Sequence, residues 1–412
     1  MLWRLFVLGL LSMGSVQAAE LRVATWNLGW HLSSAEATDW IGRCDAHFAK
    51  DATTGKFRPA ATGTPGWKLR WGRDAAIAWD ISARPPCDVF KTGSFETVAV
   101  SEAAYRKRAI QIRTILEKSV RADVIAFQEV SGEAAIREVL PEGVDYGVCT
   151  FDDHKVQRLG FAWRKTLGDA IECEVESALS LPNLAEKDRV RPGLSVSLKA
   201  DGKTIRLLSV HLKSSCVSPL EGGADQRGVL EGSNVACQTL QQQVKPLETW
   251  IERKSADGGA FVVLGDFNRN LWHEVAADGP ARTDGSDPKG DLPPAARVRR
   301  LLAEVNDSVP ASSKLDLAEP GCPINPVSAA ICEAAKTTAN REHSKELARF
   351  ENLGCRNPLG LDHVLVGGGA VADVAEKVSI GRLGRTLPPS AARPDALLSV
   401  SDHCPLVATI RF

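Results

Sequence analysis

Phe261-Val-Val-Leu-Gly-Asp-Phe-Asn268 is the stretch that decides the fold. Its opening residues are apolar and partly β-branched, and the run is too short for a helix, so it reads as a buried strand. It then breaks at Gly265 and ends on a carboxylate, Asp266, and an amide, Asn268. The same grammar recurs in Leu21-Arg-Val-Ala-Thr-Trp-Asn27, in Asp123-Val-Ile-Ala-Phe-Gln-Glu129 and in Ile205-Arg-Leu-Leu-Ser-Val-His211. Leu361-Asp-His-Val-Leu-Val366 and Ser401-Asp-His-Cys-Pro-Leu-Val-Ala-Thr-Ile410 reverse it, with the polar residues first. If these strand ends share one edge, their polar side chains converge on a single site.

Between the strands the pattern changes. Leu194 to Leu198, Asp201-Gly202 and Ile205 to Val210 read as a hairpin. Glu102 to Val120 reads as an amphipathic helix with Tyr105, Ala109, Ile112 and Leu116 on one face. A second helix carries Leu240, Val244, Leu247 and Ile251, with Pro246 either kinking it or marking its start. Strands alternating with helices predict an α/β architecture. The polar strand ends run from Asn27 to His403, so residues 19–412 are expected to form one catalytic domain. Insertions are expected near 31–101, which is rich in Trp (Trp40, Trp67, Trp71, Trp79), near 214–237 and near 270–358. The 214–237 segment is a candidate lid, and the Trp-rich stretch is expected to form a small core of its own.

The 412 residues are 44% apolar and 25% charged, enough for a sizeable core. Net charge is −1, so attraction to a polyanion would have to come from a local patch. Arg4, the short apolar run Leu5 to Leu11 and the small residues around Val16-Gln17-Ala18 read as a signal peptide over 1–18, cleaved after Ala18. A periplasmic or secreted location is therefore expected. The ten cysteines contain no CxxC pair and no zinc-ligand spacing with His, and their even number fits disulfides in an oxidising compartment. Pairing of sequence neighbours (44–87, 149–173, 216–237, 322–332, 355–404) is the simplest of on the order of a thousand connectivities, with Cys404 alternatively a buried free thiol. His31, His47, His154, His273 and His343 show no paired-ligand spacing and are read as surface or loop residues.

Carboxylates and amides at strand ends are hard oxygen ligands, suited to Mg²⁺ or Mn²⁺, with Ca²⁺ a further candidate. Such a set fits phosphoester hydrolysis, which needs charge neutralisation, an activated water and a stabilised leaving oxygen. Taken singly, Asp266, Glu129 or His211 would more often be a cap or a satisfied polar group. Together, Thr25-Trp26-Asn27, Gln128-Glu129, His211, Gly265-Asp266-Phe267-Asn268, Leu361-Asp362-His363 and Ser401-Asp402-His403 resemble the endonuclease/exonuclease/phosphatase superfamily, in the order its motifs take.

The resemblance implies a four-layer α/β/β/α sandwich, two mixed β-sheets packed face to face with helices outside. It also implies roles. Glu129 would be the main metal ligand, with Asn27 and Asp402 on the same side. Asp266 would orient or deprotonate the attacking water, and Asn268 would donate to a phosphate oxygen. His403, its ring held by Asp362, would contact phosphate or move a proton. His211 is similar to the histidine of deoxyribonuclease I-like members, with Gln157 where their carboxylate partner stands. Gln157 and its neighbour Arg158 are the phosphate-side candidates. The expected activity is a secreted or periplasmic nuclease on DNA, with RNA as a second candidate. It is expected to be monomeric and to lack stable membrane association. A sphingomyelinase or phospholipase C-type enzyme, a small-molecule phosphatase and a non-catalytic binding module are the alternatives.

Overall fold

The Phe261–Asp266 run is a fully buried strand, and its register explains why the site forms where it does. The computed structural model describes residues 18–71, 83–152, 155–221, 228–230, 232–277, 300–322 and 326–412. The signal-peptide reading of 1–18 falls almost wholly outside the described residues, as do Trp79 and His154.

One sheet runs in the order β13 (Pro320–Gly321), β16 (Ala375–Lys377), β17 (Leu406–Arg411), β1 (Glu20–His31), β5 (Val124–Val130), β7 (Arg158–Arg164) and β6 (Tyr146–Thr150). β15 (Val371–Ala372) also pairs with β17. The other runs β12 (Leu315–Leu317), β14 (Asp362–Gly367), β11 (Phe261–Asp266), β10 (Lys203–His211), β9 (Gly193–Ala200) and β8 (Glu172–Glu176). Both sheets are mixed: β1 is parallel to β5 but antiparallel to β17, and β11 is parallel to β10 but antiparallel to β14. A small third sheet orders β3 (Phe57–Ala60), β2 (His47–Lys50) and β4 (Thr64–Pro65).

The two large sheets face one another through a common core. Leu21, Val23, Val124 and Phe161 from the first pack with Val196, Leu207, Val262, Leu264 and Val364 from the second. Helix α2 (Glu102–Ile115) covers the outer face of the first sheet, where Ile112 meets Trp26 and Phe127. It continues into a π-helical turn over Leu116–Val120, which ends on Arg121 in a left-handed conformation. Helix α4 (Val235–Ser255) covers the second sheet with Leu240, Val244, Leu247 and Ile251. Asn234 caps its start, and Pro246 lies inside it. The expected four layers are present.

The remaining helices pack around this frame. α1 (Ser34–Asp45) follows β1, α3 (Glu133–Val139) follows β5, and α5 (Leu271–Ala276) follows the Asp266 turn. α6 (Leu301–Val305), α7 (Pro326–Ala335) and α8 (Arg341–Leu347) lie in the 270–358 stretch, which also contributes β12 and β13 to the two sheets. In the Trp-rich insertion, Trp40, Trp67 and Trp71 are buried with Leu32 and Phe90, and Trp40 and Trp67 meet edge to face at 5.1 Å. Aromatics here serve packing, as expected for a cluster of tryptophans.

The ten cysteines form five disulfides between sequence neighbours: Cys44–Cys87, Cys149–Cys173, Cys216–Cys237, Cys322–Cys332 and Cys355–Cys404. Cys404 is thus not a free thiol. It precedes β17 rather than lying within it, which brings it into reach of Cys355. Around 214–237, Cys216 and Leu230 are buried in the α4 core, so the described part of that segment packs inward. Among the described residues, no helix is long and apolar enough to cross a membrane.

Candidate active site

Register delivers the polar strand ends to one place. His211 is the pairing partner of Asp266 across β10 and β11, and Asp266 is the partner of Asp362 across β11 and β14. At Gly265 (φ +137°) a Cβ would lie 2.2 Å from the Val210 carbonyl oxygen, so only glycine lets β11 approach β10 here. In the other sheet, the pairing of β5 with β7 slips between Gln128 and Val130. The residue at the slip is Glu129, with φ +57°. A bulge of this kind re-aims one side chain at a strand end. Glu129 Oε2 there accepts from the Trp30 N–H at 3.1 Å.

One half of the site couples the carboxylates of Asp362 and Asp266 to the His403 ring. Asp362 lies 3.1 Å from His403 Nδ1 through both carboxylate oxygens, and Lys377 Nζ lies 2.6 Å from Asp362 Oδ2. Burial pushes the Asp362 carboxyl up, but Lys377 and His403 outweigh it and hold the group well below the usual range. Burial opposes charge on His403 too, yet Asp362 and Asp266 raise it to about 10. Asp266 is raised to about 6, chiefly by burial, with His403 pulling the other way. Its Oδ1 accepts from the Asn268 backbone N–H at 2.8 Å and its Oδ2 from Asn27 Nδ2 at 3.0 Å. His211 Nε2 and His403 Nε2 approach Asp266 Oδ2 at 3.5 and 3.7 Å.

The other half sets two carboxylates, Glu129 and Asp402, close enough to feel one another's charge. Glu129 is pushed up by burial and then by the like charge of Asp402. Asp402 is held below its ordinary value: burial would raise it, but His403 and Arg356 prevail. Arg356 Nη2 and Asn357 Nδ2 both donate to Asp402 Oδ2, at 2.8 and 3.0 Å. Glu129 and Asp402 open onto one cavity of about 830 Å³. Asn27 bridges the halves, its Nδ2 reaching Glu129 Oε1 at 3.3 Å and Asp266 Oδ2 at 3.0 Å, while its own Oδ1 accepts from Gly29 N–H.

The tightest group of metal-capable side chains among the described residues is Asp266, Asp362 and His403, not the Asn27, Glu129 and Asp402 set. That trio makes a poor ion cage, because Lys377 neutralises Asp362 and the His403 Nδ1 is committed to it. Glu129 with Asp402 is the better fit: two hard oxygen donors facing one cavity, one of them destabilised by the charge of the other.

A profile described as the Endonuclease/Exonuclease/phosphatase family matches residues 98–403. The chain belongs to that family. Its members are nuclease- and phosphodiesterase-type hydrolases, and of the site described above the profile omits only the β1 residues Asn27, Gly29 and Trp30. Solved structures of the family are similar in outline. They include a family protein from Bacteroides thetaiotaomicron (13% identity, 96% of this chain and 99% of that one, TM-score 0.42). A humanised TDP2 from D. rerio matches at 11% identity over 95% of this chain and 99% of that one, TM-score 0.40. The human Nocturnin catalytic domain matches at 13% over 76% and 87%, TM-score 0.40. Among curated proteins no sequence matches.

In this family member Asn27, Glu129, His211, Asp266, Asn268, Asp362, Asp402 and His403 lie together, whereas Gln157 and Arg158 have other surroundings than expected. Gln157 accepts from Arg191 Nη1 at 3.4 Å and hydrogen-bonds Glu129, so it engages the acid side of the site. Arg158 donates to the Ser131 carbonyl beyond Glu129. Asn268 already donates one amide hydrogen to the Leu212 carbonyl at 3.1 Å.

Three charged residues went unread. Lys377 ends the short strand Ala375–Lys377, where a lone lysine carries no signal. Arg191, half-buried, donates to the His211 and Leu212 carbonyls and faces Glu129 and Asp266. Arg108 stands beside Arg106 and Lys107 in sequence, yet its guanidinium is buried, donating to the Leu28, Val400 and Ser399 carbonyls and meeting His31 Nδ1 at 2.8 Å. His31 and His273 are therefore not surface residues: His31 packs on Arg108, and His273 Nδ1 lies 2.7 Å from Ser218 Oγ. Both were misjudged because a histidine satisfied by a distant partner leaves no local pattern.

Proposed function

We propose that this chain is a divalent-metal-dependent phosphodiesterase, exported to the periplasm or secreted, that cleaves nucleic acid, DNA foremost. The observation that carries it is the split of charge across Asn27: a proton-handling Asp266/Asp362–His403 half against an acid-rich Glu129/Asp402 half on an open cavity. A bound Mg²⁺ or Mn²⁺ would supply charge neutralisation at phosphate and leaving oxygen, held by Glu129 and Asp402 with Asn27 beside them.

The chain's own groups do the rest. Asp266, fixed through both oxygens and ionised above about pH 6, takes the proton of the attacking water. The charged His403 ring, oriented by Asp362, faces the phosphate and stabilises the negative charge that develops there. His211, 3.5 Å from Asp266, is placed to protonate the leaving oxygen. Asn268 offers its remaining amide hydrogen to a phosphate oxygen, and Arg191 and Arg158 supply positive charge behind the acid side. Five disulfides support an oxidising compartment, since such bonds persist outside the cytosol.

The test is a panel of plasmid DNA, RNA, sphingomyelin and a chromogenic diester, with Mg²⁺, Mn²⁺ or Ca²⁺. Metal-dependent cleavage of DNA is expected. Cleavage of sphingomyelin alone would replace the nuclease reading with the phospholipase C-type one, and no cleavage of any would favour a binding module.

A further inference from the structure

Phe95 is 77% exposed, the most exposed large apolar side chain among the described residues. It is nevertheless held firmly. Its N–H donates to the Thr92 carbonyl at 2.9 Å, Lys91 bridges to Thr97, and Phe90 and Val98 anchor the turn in the buried tryptophan cluster. The Cys44–Cys87 disulfide ties the same segment to α1. Phe95 also adopts φ +62°, a conformation that bulky residues avoid. A rigid turn thus displays an aromatic ring to water at a conformational cost.

The ring lines the same cavity as Glu129 and Asp402, and so does the half-buried Trp30. Four cations, Lys91, Arg108, Arg356 and Arg385, line it against three carboxylates, Asp88, Glu129 and Asp402. Arg108 is spent on backbone carbonyls and Arg356 on Asp402; on the Phe95 turn Lys91 is ion-paired with Asp88 at 2.9 Å in a partly exposed bridge that a phosphate can share, and Arg385 lies over the Phe350 ring at 5.5 Å. Aromatic faces interleaved with cations fit single-stranded nucleic acid, whose bases stack while its phosphates pair. A lipid-inserting face would instead be broadly apolar, and the neighbours of Phe95 on this turn are Lys91, Thr92 and Gly93.

We propose that the 88–95 turn forms a nucleotide-binding wall beside the scissile phosphate. Phe95 and Trp30 stack on a flanking base, and Lys91 and Arg385 pair with a neighbouring phosphate. The wall makes single-stranded DNA or RNA the preferred substrate. It rests on the phosphodiesterase reading for the position of the reacting phosphate, but it can be tested without turnover.

Binding of a short fluorescent single-stranded DNA to the whole chain is measured by anisotropy in chelator, which prevents cleavage. Phe95→Ala and, independently, Lys91→Glu are each expected to weaken binding about ten-fold, the scale of one lost base stack. Ile171→Ala, an exposed apolar residue on the opposite sheet's edge, is the control for general loss of surface. With metal, the preference for the oligonucleotide over a methyl nitrophenyl phosphate diester should fall by a similar factor in Phe95→Ala. Unchanged DNA binding in Phe95→Ala would overturn the proposal. So would a Phe95→Ala defect confined to sphingomyelin vesicles, which would make the turn a membrane contact. If the wild type binds DNA through Phe95 but cleaves no diester, the wall stands and the catalytic reading falls.

Discussion

Lys377 Nζ lies 2.6 Å from Asp362 Oδ2, with both side chains almost wholly buried at 3% and 1% exposure. Asp362 in turn holds the His403 ring, so a buried cation underlies the orientation of that histidine. Removing one partner of such a pair leaves an uncompensated buried charge. Lys377→Met should cost about 3–5 kcal/mol of stability. The midpoint of chemical denaturation measures it, and a shift near zero would mean the pair is dispensable.

The proton side makes a prediction about pH. His403 is raised to about 10 from an ordinary 6.5, so its pairing contributes stability that is fully present below pH 6.5 and lost as pH climbs through 10. Asp362 is depressed, so its contribution is present above the ordinary carboxylate range and lost as pH falls into strong acid. NMR titration of the metal-free protein should show His403 still charged at neutral pH, and Asp362→Asn should lower its pKa. A His403 that titrates near 6.5 in both proteins would contradict the dyad.

Glu129 and Asp402 predict linkage to metal. A divalent ion at about a hundred times its dissociation constant should add about 2.7 kcal/mol of stability to the wild type. Glu129→Gln should lose most of that gain, read as a smaller rise in Tm on adding Mg²⁺ or Mn²⁺. An equal rise in both proteins would place the ion elsewhere, with the Asp266, Asp362 and His403 trio next to be tested.

The Cys355–Cys404 bridge closes a loop across 49 residues, adjacent to His403. In the chain-entropy view its loss should cost about 4 kcal/mol. The Cys355→Ala/Cys404→Ala double variant should lower Tm accordingly, and an unchanged Tm would show that the surrounding core alone fixes the His403 loop.

What could be read in advance was whatever local pattern encodes. Short apolar runs ending in Asn27, Glu129, His211 and Asp266 announce strands, and their shared polarity announces a common edge. Helix α2 was legible from the spacing of Tyr105, Ala109, Ile112 and Leu116, all buried. Neighbour pairing of the cysteines also matched, because each pair closes a short or moderate loop. Long-range electrostatics was not legible. Arg108 reaches Val400 across 292 positions, and Lys377 meets Asp362 only because β16 and β14 belong to facing sheets. Nothing within a few residues of either cation marks it as buried. The turn at Phe95 was equally silent, since its significance lies in which cavity it borders.

The central claim is that Asp266, at the end of the strand that fixes the fold, activates the attacking water. The most direct test is the metal-dependent hydrolysis rate of a chromogenic phosphodiester by the wild type and by Asp266→Asn, with folding of both checked by circular dichroism. The variant keeps the shape of the side chain but offers one acceptor oxygen where Asp266 uses two, and it cannot take up the proton, so kcat should fall by about 10²–10⁴-fold. A folded Asp266→Asn protein that hydrolyses the diester at the wild-type rate would contradict it.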